Sequence, residues 1–307
     1  MKQEYNLICI MGHTAGGKTA IAAQLADKIK GEIISADSRQ VYKHMNIGTG
    51  KDYNDYWVNG KKIPYHLIDI VEPGYQYNIF EYQRDFIKAF QDIKKRNKQA
   101  IMCGGSGMYI EAILKGYKLI NVPVNNKLRK ELQDKSLDEL KETLAVLKKM
   151  HNKTDTDTKK RAIRAIEIEK YYQENNETLS HLPDINSLNI GIAYNRENRR
   201  ERITQRLEER LANGMIDEVK QLLDKGLTPD QLIYYGLEYK FLTLYLTGNL
   251  NYDEMKQKLN TAIHQFAKRQ MTWFRRMERN NIPIHWLDEG LPLDKKIKNI
   301  ITLYNTL

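Results

Sequence analysis

The sequence predicts an α/β protein whose core is a parallel sheet flanked by helices, with a helical domain inserted into it. Two observations predict this class. Short apolar runs alternate with amphipathic helical patterns at the start of the chain, whereas residues 127–177 carry many charges and almost no strand pattern. Because a strand pattern returns at residue 190, we expect a core domain of residues 1–120 and 190–307 and an insertion domain of residues 121–189.

Strands and helices alternate in the first part of the core. Gly31 is expected to close the first helix, since glycine readily adopts the left-handed conformation found after helix C-termini. The order is typical of βαβ units, in which successive strands lie parallel. The expected elements are a strand at residues 7–11, a helix at 18–30, a strand at 32–36, a helix at 81–97, a strand at 100–103 and a helix ending near residue 114.

Helices dominate the rest of the chain. In the insertion, Ser136 followed by Glu139 has the spacing of a capping box, and the polar run at residues 154–158 leads into another helix. After the insertion we expect a strand at residues 190–194, helices at 199–214, 216–225 and 253–279, and a last strand at 284–287.

Composition restricts the function without identifying it. The 307 residues carry a net charge of +10, which fits a polyanionic partner and, equally, a surface kept basic for solubility. No apolar run approaches the roughly 18 residues of a membrane span, and residues 1–6 show no secretion signal, so we expect a cytoplasmic protein without membrane association. Cys9 and Cys103 lie in apolar strand patterns and are expected in the core.

A glycine-rich loop between the first strand and the first helix matches the G-x-x-x-x-G-K-[ST] pattern of P-loop NTPases, and therefore of many ATP-binding proteins. In such a loop the backbone amides and the helix N-terminus face an anion, Lys18 adds a positive charge, and the Thr19 hydroxyl can ligate Mg²⁺. The pattern does not reveal what the diphosphate is attached to. The predicted diphosphate-binding residues are Gly12, His13, Thr14, Ala15, Gly16, Gly17, Lys18 and Thr19.

Two further segments follow predicted strands at their carboxyl ends, where open parallel sheets place their active sites. Asp37 follows the second strand and is either a general base or an N-cap for the next segment. The glycine turn at residues 104–107 follows a later strand. It either lets backbone approach a ligand, with Ser106 as a hydrogen-bond donor, or is a tight strand-to-helix turn.

Two clusters of cations are candidates for a polyanion site. Residues 268–276 contain four cations and no acid, which favours a patch of one sign. A second cluster, at residues 159–164, is either another such patch or a solvated helix face partly balanced by Glu167 and Glu169. An apolar stripe at helical spacing runs beside the first cluster, and we expect it in the core: Met255, Leu259, Ile263, Phe266, Trp273 and Met277.

Taken together, these segments resemble the tRNA dimethylallyltransferases, also called tRNA isopentenyltransferases. The glycine-rich loop of residues 12–19, called the phosphate loop from here on, matches the family's pattern. The chain also matches the family's D-S-x-Q-x-Y motif at residues 37–42, the glycine turn at 104–109 and the K-R-Q-x-T-W-x-R helix at 268–275. Shorter matches lie at residues 45–51, 66–69 and 161–167. The resemblance follows the family's order over nearly the whole chain.

The resemblance implies an enzyme that transfers a dimethylallyl group from its diphosphate to N6 of the adenine immediately 3′ of the anticodon in tRNA. The phosphate loop would then hold dimethylallyl diphosphate with Mg²⁺ as cofactor, and ATP is not the implied substrate. The implied partner is the anticodon stem-loop of tRNA. No protein partner is implied, and the family's members act as monomers.

The resemblance also implies roles for individual residues. Asp37 would be the general base, Ser106 would contact the reacting region, and Lys18 would act on the diphosphate with Thr19 as the Mg²⁺ ligand. The residues implied to meet tRNA are Asp37, Ser38, Arg39, Gln40, Ser106, Arg129, Lys160, Arg161, Arg164, Gly236, Lys268, Arg269, Gln270, Trp273 and Arg275.

The chain departs from the family's pattern at several positions. In the phosphate loop His13 replaces the usual proline and Gly16 the usual serine, and Ser106 stands where threonine is typical. The segment with Gly50 and Asp52 departs from G-T-A-K-P, and residues 237–238 depart from the more usual G-Y-[KR].

Two other functions fit part of the sequence. A P-loop kinase of a nucleoside or small metabolite would share the loop, but it should carry a short arginine-bearing lid rather than a long helical insertion. A non-catalytic RNA-binding P-loop module would explain the charge but would leave Asp37 and Lys18 without a role.

Overall fold

The computed structural model describes residues 5–147, 156–175, 182–193 and 195–306. The chain divides into two compact units, one of residues 1–117 and 183–307 and one of residues 118–182. The second boundary lies before the expected residue 189, because the segment leading into residue 190 already belongs to a strand of the larger unit. Among the described residues, the structure has no helix that is long and apolar enough to cross a membrane.

The larger unit contains the sheet that the sequence predicts. Its six parallel strands lie in the order β5-β2-β6-β1-β7-β8, while β3 and β4 form a small antiparallel pair. The predicted α/β fold class is therefore confirmed. The strands are β1 (Leu7–Met11), β2 (Glu32–Ala36), β3 (Trp57–Val58), β4 (Lys61–Lys62), β5 (Tyr65–His66), β6 (Ala100–Gly104), β7 (Ser187–Ala193) and β8 (His285–Asp288).

The predicted long helices are present, with ends shifted by a few residues, and short helices near residues 230 and 240 and at the C-terminus add to them. The helices are α1 (Lys18–Ile29), α2 (Ile79–Lys95), α3 (Gly107–Leu114), α4 (Asn126–Gln133), α5 (Leu137–Leu147), α6 (Lys159–Glu174), α7 (Arg196–Ala212), α8 (Met215–Asp224), α9 (Pro229–Tyr234), α10 (Leu237–Leu246), α11 (Tyr252–Arg279) and α12 (Leu293–Thr306).

Strand β1 lies at the centre of the sheet and is buried along its whole length. A strand covered by helices on both faces needs apolar residues at every position, which explains its unbroken apolar run. Successive side chains point to opposite faces, so Cys9 joins the core on one face and Ile10 the core on the other. Cys103 is also buried, so the expectation that both cysteines lie in the core is confirmed, and both are free thiols.

The smaller unit is helical, as its charge-rich sequence predicts. Helices α4, α5 and α6 pack around a small apolar core that includes Leu128, Leu140 and Ile166. The capping box at the start of α5 is confirmed, because the Glu139 amide donates to Ser136 Oγ and the Ser136 amide donates to the Glu139 carboxylate. The polar run expected to open α6 begins at residues 154 and 155, which lie outside the described residues.

The apolar stripe expected along α11 is largely correct. Met255, Leu259 and Met277 are fully buried and Ile263 nearly so. The expectation is wrong for Phe266, whose side chain is 39% exposed and lines a cavity. Helical spacing places a residue on a face, but it does not say where along the helix that face leaves the core.

Candidate active site

Three loops meet at one edge of the sheet and form the floor of a cavity. Met11 and Ala36 both align with Gly104, so the loops after β1, β2 and β6 leave the sheet side by side. The carboxyl ends of parallel strands are where such sheets bind ligands. The cavity has a volume of about 720 Å³, and α7, α11 and residues 235–238 complete its walls.

The phosphate loop has the shape that its sequence predicts. Ala15 and Gly17 have positive φ angles of 59° and 64°, which curl the loop before α1, and residues 14–19 line the cavity. The amides of the first turn of α1 have no partner within the helix and are available to an anion. Lys18 Nζ donates to the His13 carbonyl at 2.7 Å, and burial lowers the pKa of Lys18.

His13, which replaces the usual proline of the family pattern, is buried beneath this loop. Burial lowers its pKa to about 4, so the ring is neutral at pH 7. Its Nδ1 atom lies 2.5 Å from the Thr14 carbonyl oxygen. Because a carbonyl oxygen only accepts hydrogen bonds, Nδ1 carries the proton. The ring therefore stabilises the loop by donating a hydrogen bond to its backbone.

Gln270 of α11 joins two of the three loops. Its Oε1 atom accepts from the Thr14 amide at 2.9 Å, and its Nε2 atom donates to the Gly105 carbonyl at 2.9 Å. The side chain is buried. Gln270 is implied by the family resemblance to meet tRNA, and that role stays a prediction; the contacts in the structure connect the phosphate loop to the glycine turn.

The glycine turn is tight because protein groups pack against it. A Cβ atom at Gly104 would lie 2.2 Å from the Ala36 carbonyl oxygen, and one at Gly107 would lie 2.4 Å from Trp273 Cδ1. These distances favour the strand-to-helix turn over a close approach of ligand at those two glycines. Ser106 lines the cavity, and its Oγ accepts from the Ser38 amide at 3.0 Å.

The position of Asp37 is compatible with both of the roles that the sequence left open. Its Oδ1 atom accepts from the Arg39 amide at 2.9 Å, so the carboxylate does cap the turn that follows β2. It also lines the cavity, and Oδ2 makes no hydrogen bond with any residue that the structure describes. The general-base role of Asp37 therefore remains a prediction that the geometry permits.

The other predicted residues of this segment also border the cavity. Gln40 donates to the Gly50 carbonyl at 3.0 Å, and the Arg39 guanidinium lies 5.3 Å from the centre of the Tyr234 ring. Gly236 has a φ of 124°, a left-handed conformation that favours glycine. Together with Ser38, the cavity-lining residues Arg39, Gln40 and Gly236 form one rim.

The arginines of α7 are site residues that the sequence did not identify. Arg202, Arg206 and Arg210 all line the cavity. Their spacing of four residues puts them on one helix face, and this spacing was the signal available in the sequence. Arg206 forms an ion pair with Asp52, whereas Arg210 lies 3.9 Å from the nearest carboxylate oxygen of Glu238.

Three departures from the family pattern, at Gly50, Asp52 and Glu238, lie beside these arginines. Gly50 leaves space for the Arg210 guanidinium, Asp52 pairs with Arg206, and Glu238 faces Arg210. Burial lowers the pKa of Arg210 and raises the pKa of Glu238. The departures therefore belong to one local arrangement of charges.

The basic helix α11 carries its cations partly on the surface and partly in the cavity. Lys268 and Arg275 are exposed, while Arg269 lines the cavity. Burial, with the positive charges of Arg196 and Arg275, lowers the pKa of Arg199. Trp273 packs partly buried against the core, as predicted.

One cation of the α11 cluster is neutralised, which the sequence alone did not suggest. Arg276 donates to Glu111 of α3 at 2.6 Å and lies 4.1 Å from the centre of the Trp273 ring. Glu111 is 2% exposed. The patch of one sign therefore consists of the other three cations.

In the smaller unit, two of the predicted tRNA-binding arginines hold their own unit together. Arg129 and Arg164 both pair with the buried carboxylate of Glu167. Burial alone would raise the pKa of Glu167, but these hydrogen bonds lower it below its usual value. Arg161 pairs with Asp157 at 2.9 Å, and Lys160 is exposed. For these four residues a role in tRNA binding stays a prediction.

The fold and the cavity define an α/β protein whose candidate site combines a glycine-rich loop, a carboxylate and three arginines of α7. A family model described as IPP transferase matches residues 40–277. The tRNA dimethylallyltransferase 2 of Phocaeicola vulgatus is 58% identical over 304 residues, which cover 99% of each chain. The tRNA dimethylallyltransferase 1 of Parabacteroides distasonis is 59% identical over 303 residues, again 99% of each.

A solved structure agrees with these relatives. The full-length tRNA isopentenylpyrophosphate transferase from Bacillus halodurans is 31% identical, with a TM-score of 0.71, and the match covers 98% of this chain and 95% of that one. The chain belongs to the IPP transferase family. The resemblance inferred from its motifs is confirmed.

Proposed function

We propose that the protein transfers a dimethylallyl group from dimethylallyl diphosphate to N6 of the adenine 3′ of the anticodon in tRNA. One observation carries this proposal: the phosphate loop and Asp37 line the same cavity, because β1 and β2 flank β6 and their carboxyl ends lie at the same edge of the sheet. A donor diphosphate and an acceptor base can therefore meet there. Relatives that match nearly the whole chain are named tRNA dimethylallyltransferases.

The diphosphate end of the cavity supplies the groups that a leaving diphosphate needs. Backbone amides of the loop, Lys18 and the α7 arginines converge on the region where negative charge grows as the carbon–oxygen bond breaks. These groups are fixed before the reaction, so they stabilise the developing charge without having to reorganise.

Magnesium fits this site as a partner of the substrate. The described residues contain no group of three His, Cys, Asp or Glu that could hold a metal alone. A Mg²⁺ ion commonly takes substrate phosphates and water in addition to one or two protein oxygens, and the Thr19 hydroxyl lines the cavity to provide one. When bound, the ion would neutralise charge on the diphosphate.

The acceptor half of the reaction assigns Asp37 to proton transfer. The lone pair of adenine N6 forms a bond to C1 of the dimethylallyl group, and the bond between C1 and the diphosphate oxygen breaks with its electron pair leaving on the diphosphate. N6 then carries an excess proton. The Asp37 carboxylate, with Oδ2 not engaged by the described residues, accepts that proton as the new bond forms.

The RNA side of the cavity fits a flipped base. A base stacked within an anticodon loop cannot reach the floor of a cavity, so the target adenine must leave its stack. Arg39, whose guanidinium lies beside the Tyr234 ring, and Arg269 line the cavity, and Lys268 and Arg275 are exposed on the same helix as Arg269. Such cations hold phosphates of the nucleic-acid backbone in register.

Incubation with Mg²⁺, unmodified tRNA with an adenine 3′ of its anticodon, and either dimethylallyl diphosphate or ATP tests the proposal. The tRNA is then digested and its nucleosides are analysed by mass spectrometry. We expect prenylated adenosine with dimethylallyl diphosphate alone and none with the Lys18→Met variant. ATP turnover without any prenylated nucleoside would instead identify a P-loop kinase.

A further inference from the structure

Arg210 is a cavity-lining cation that, among the described residues, pairs with Glu238 only at long range and without a hydrogen bond. Its side chain is 15% exposed, and within the described part of the chain it makes no hydrogen bond. The nearest carboxylate oxygen, on Glu238, lies 3.9 Å away, which is too long for a hydrogen bond. A largely buried guanidinium normally has its donors paired, because desolvating a charge is costly.

Gly50 brings Arg210 into contact with a second arginine. A Cβ atom at Gly50 would lie 1.8 Å from Arg210 Nη2 and 3.0 Å from Arg206 Nη2. The two guanidinium groups therefore converge within about 5 Å of each other, a distance at which like charges repel in a partly buried site. A side chain at this position would require the Arg210 guanidinium to move.

The carboxylates around this pair are unequally engaged. Asp52 accepts a hydrogen bond from Arg206, while Glu238 only approaches Arg210. Burial raises the pKa of Glu238 and so disfavours its charged form. Both arginines line the cavity, where an external anion can reach them. Planar guanidinium groups match phosphate oxygens in pairs.

We propose that Arg210 is an anion-binding residue that joins Arg206 in holding a phosphate of the diphosphate donor. This inference rests on the proposed function for the identity of the donor. An RNA backbone phosphate has the same chemistry, but the location favours the donor. The charges of Arg206 and Asp52 both affect Lys18 of the phosphate loop, which places this pair near the loop. Arg210 comes one helical turn after Arg206, about 6 Å along the axis of α7.

Binding of inorganic pyrophosphate, measured by calorimetry with Mg²⁺ on the intact protein, tests this inference. Arg210→Met should weaken pyrophosphate binding about tenfold, since charge-assisted hydrogen bonds are lost. Its Kd for tRNA should change less than about twofold. The matched control is Arg200→Met, which removes an exposed arginine of the same helix and should leave pyrophosphate binding unchanged. An unchanged pyrophosphate Kd in Arg210→Met overturns the inference, whether or not tRNA binding weakens.

A second pair of variants covers the case in which Arg210→Met does not fold. Glu238→Gln removes the competing carboxylate while keeping its size, so it should tighten pyrophosphate binding severalfold. Arg210→Lys keeps the charge but not the paired donors, and should weaken binding. Unchanged binding in both variants contradicts the inference. Pyrophosphate binding requires neither tRNA nor turnover. A failure of this inference can therefore be distinguished from a failure of the proposed function, which would appear as a wild-type protein that does not prenylate tRNA.

Discussion

Removal of the Gln270 side chain should loosen the phosphate loop rather than weaken tRNA binding. Gln270→Ala deletes two hydrogen bonds of 2.9 Å and leaves the Thr14 amide and the Gly105 carbonyl without their partner. Each lost bond to a buried group costs about 1 to 2 kcal/mol, so we expect a loss of roughly 2 to 4 kcal/mol in the free energy of unfolding. Because Thr14 belongs to the phosphate loop, the KM for dimethylallyl diphosphate should rise and kcat should fall.

Chemical denaturation and steady-state kinetics, with each substrate varied in turn, measure these changes. Gln270→Glu is an informative intermediate, since it keeps an oxygen for the Thr14 amide but loses the donor to Gly105. Gln265→Ala removes an exposed glutamine from the same helix and should behave as the wild type. A Gln270→Ala variant with normal stability and a normal KM for dimethylallyl diphosphate but a raised Kd for tRNA would contradict this prediction. It would indicate instead that Gln270 contacts tRNA.

Three further predictions concern packing, RNA binding and pH. Gly107→Ala should destabilise the protein by about 1 to 3 kcal/mol in thermal or chemical unfolding, because its Cβ would lie 2.4 Å from the Trp273 ring; Gly290→Ala, where the nearest atom is 3.5 Å away, should not. Arg275→Ala should weaken tRNA binding and reduce the slope of log K against log salt by about one, and an unchanged slope would remove Arg275 from the RNA contact. His13 has a pKa of about 4 in the folded protein, below its unfolded value of about 6.5. As the pH falls below about 6.5 the unfolded state therefore binds a proton that the folded state does not bind. The free energy of unfolding should decrease by roughly 3 kcal/mol between pH 6.5 and pH 4. Urea titrations should therefore show a shallower acid loss in His13→Gln than in the wild type.

Local patterns allowed much of the fold to be predicted. The conformations of the apolar run at residues 7–11 and of the glycine-rich loop after it are determined mainly by residues close in sequence. The strand, the loop and the following helix could therefore be predicted together. The capping box at Ser136 was predictable for the same reason. Phe266 shows the limit of such reasoning, because its helix leaves the core beside the cavity.

The parts of the site that depend on distant contacts could not be predicted. Gln270 bonds to Thr14 across 256 positions of the chain, and Arg206 pairs with Asp52 across 154. The spacing of the α7 arginines shows that they share a face, but only the packed structure shows that this face borders the phosphate loop. Likewise, nothing local to Arg164 indicates that Glu167 is buried.

In the proposed reaction the phosphate loop binds a prenyl diphosphate and not a nucleotide. The most direct measurement uses dimethylallyl diphosphate labelled in its prenyl group, with tRNA and Mg²⁺, and follows the label and the released pyrophosphate together. We expect one labelled adenosine for each pyrophosphate released, with the label on N6, and a loss of both in Asp37→Asn. Release of pyrophosphate without labelled RNA, or labelling that persists in Asp37→Asn at the wild-type rate, would contradict it.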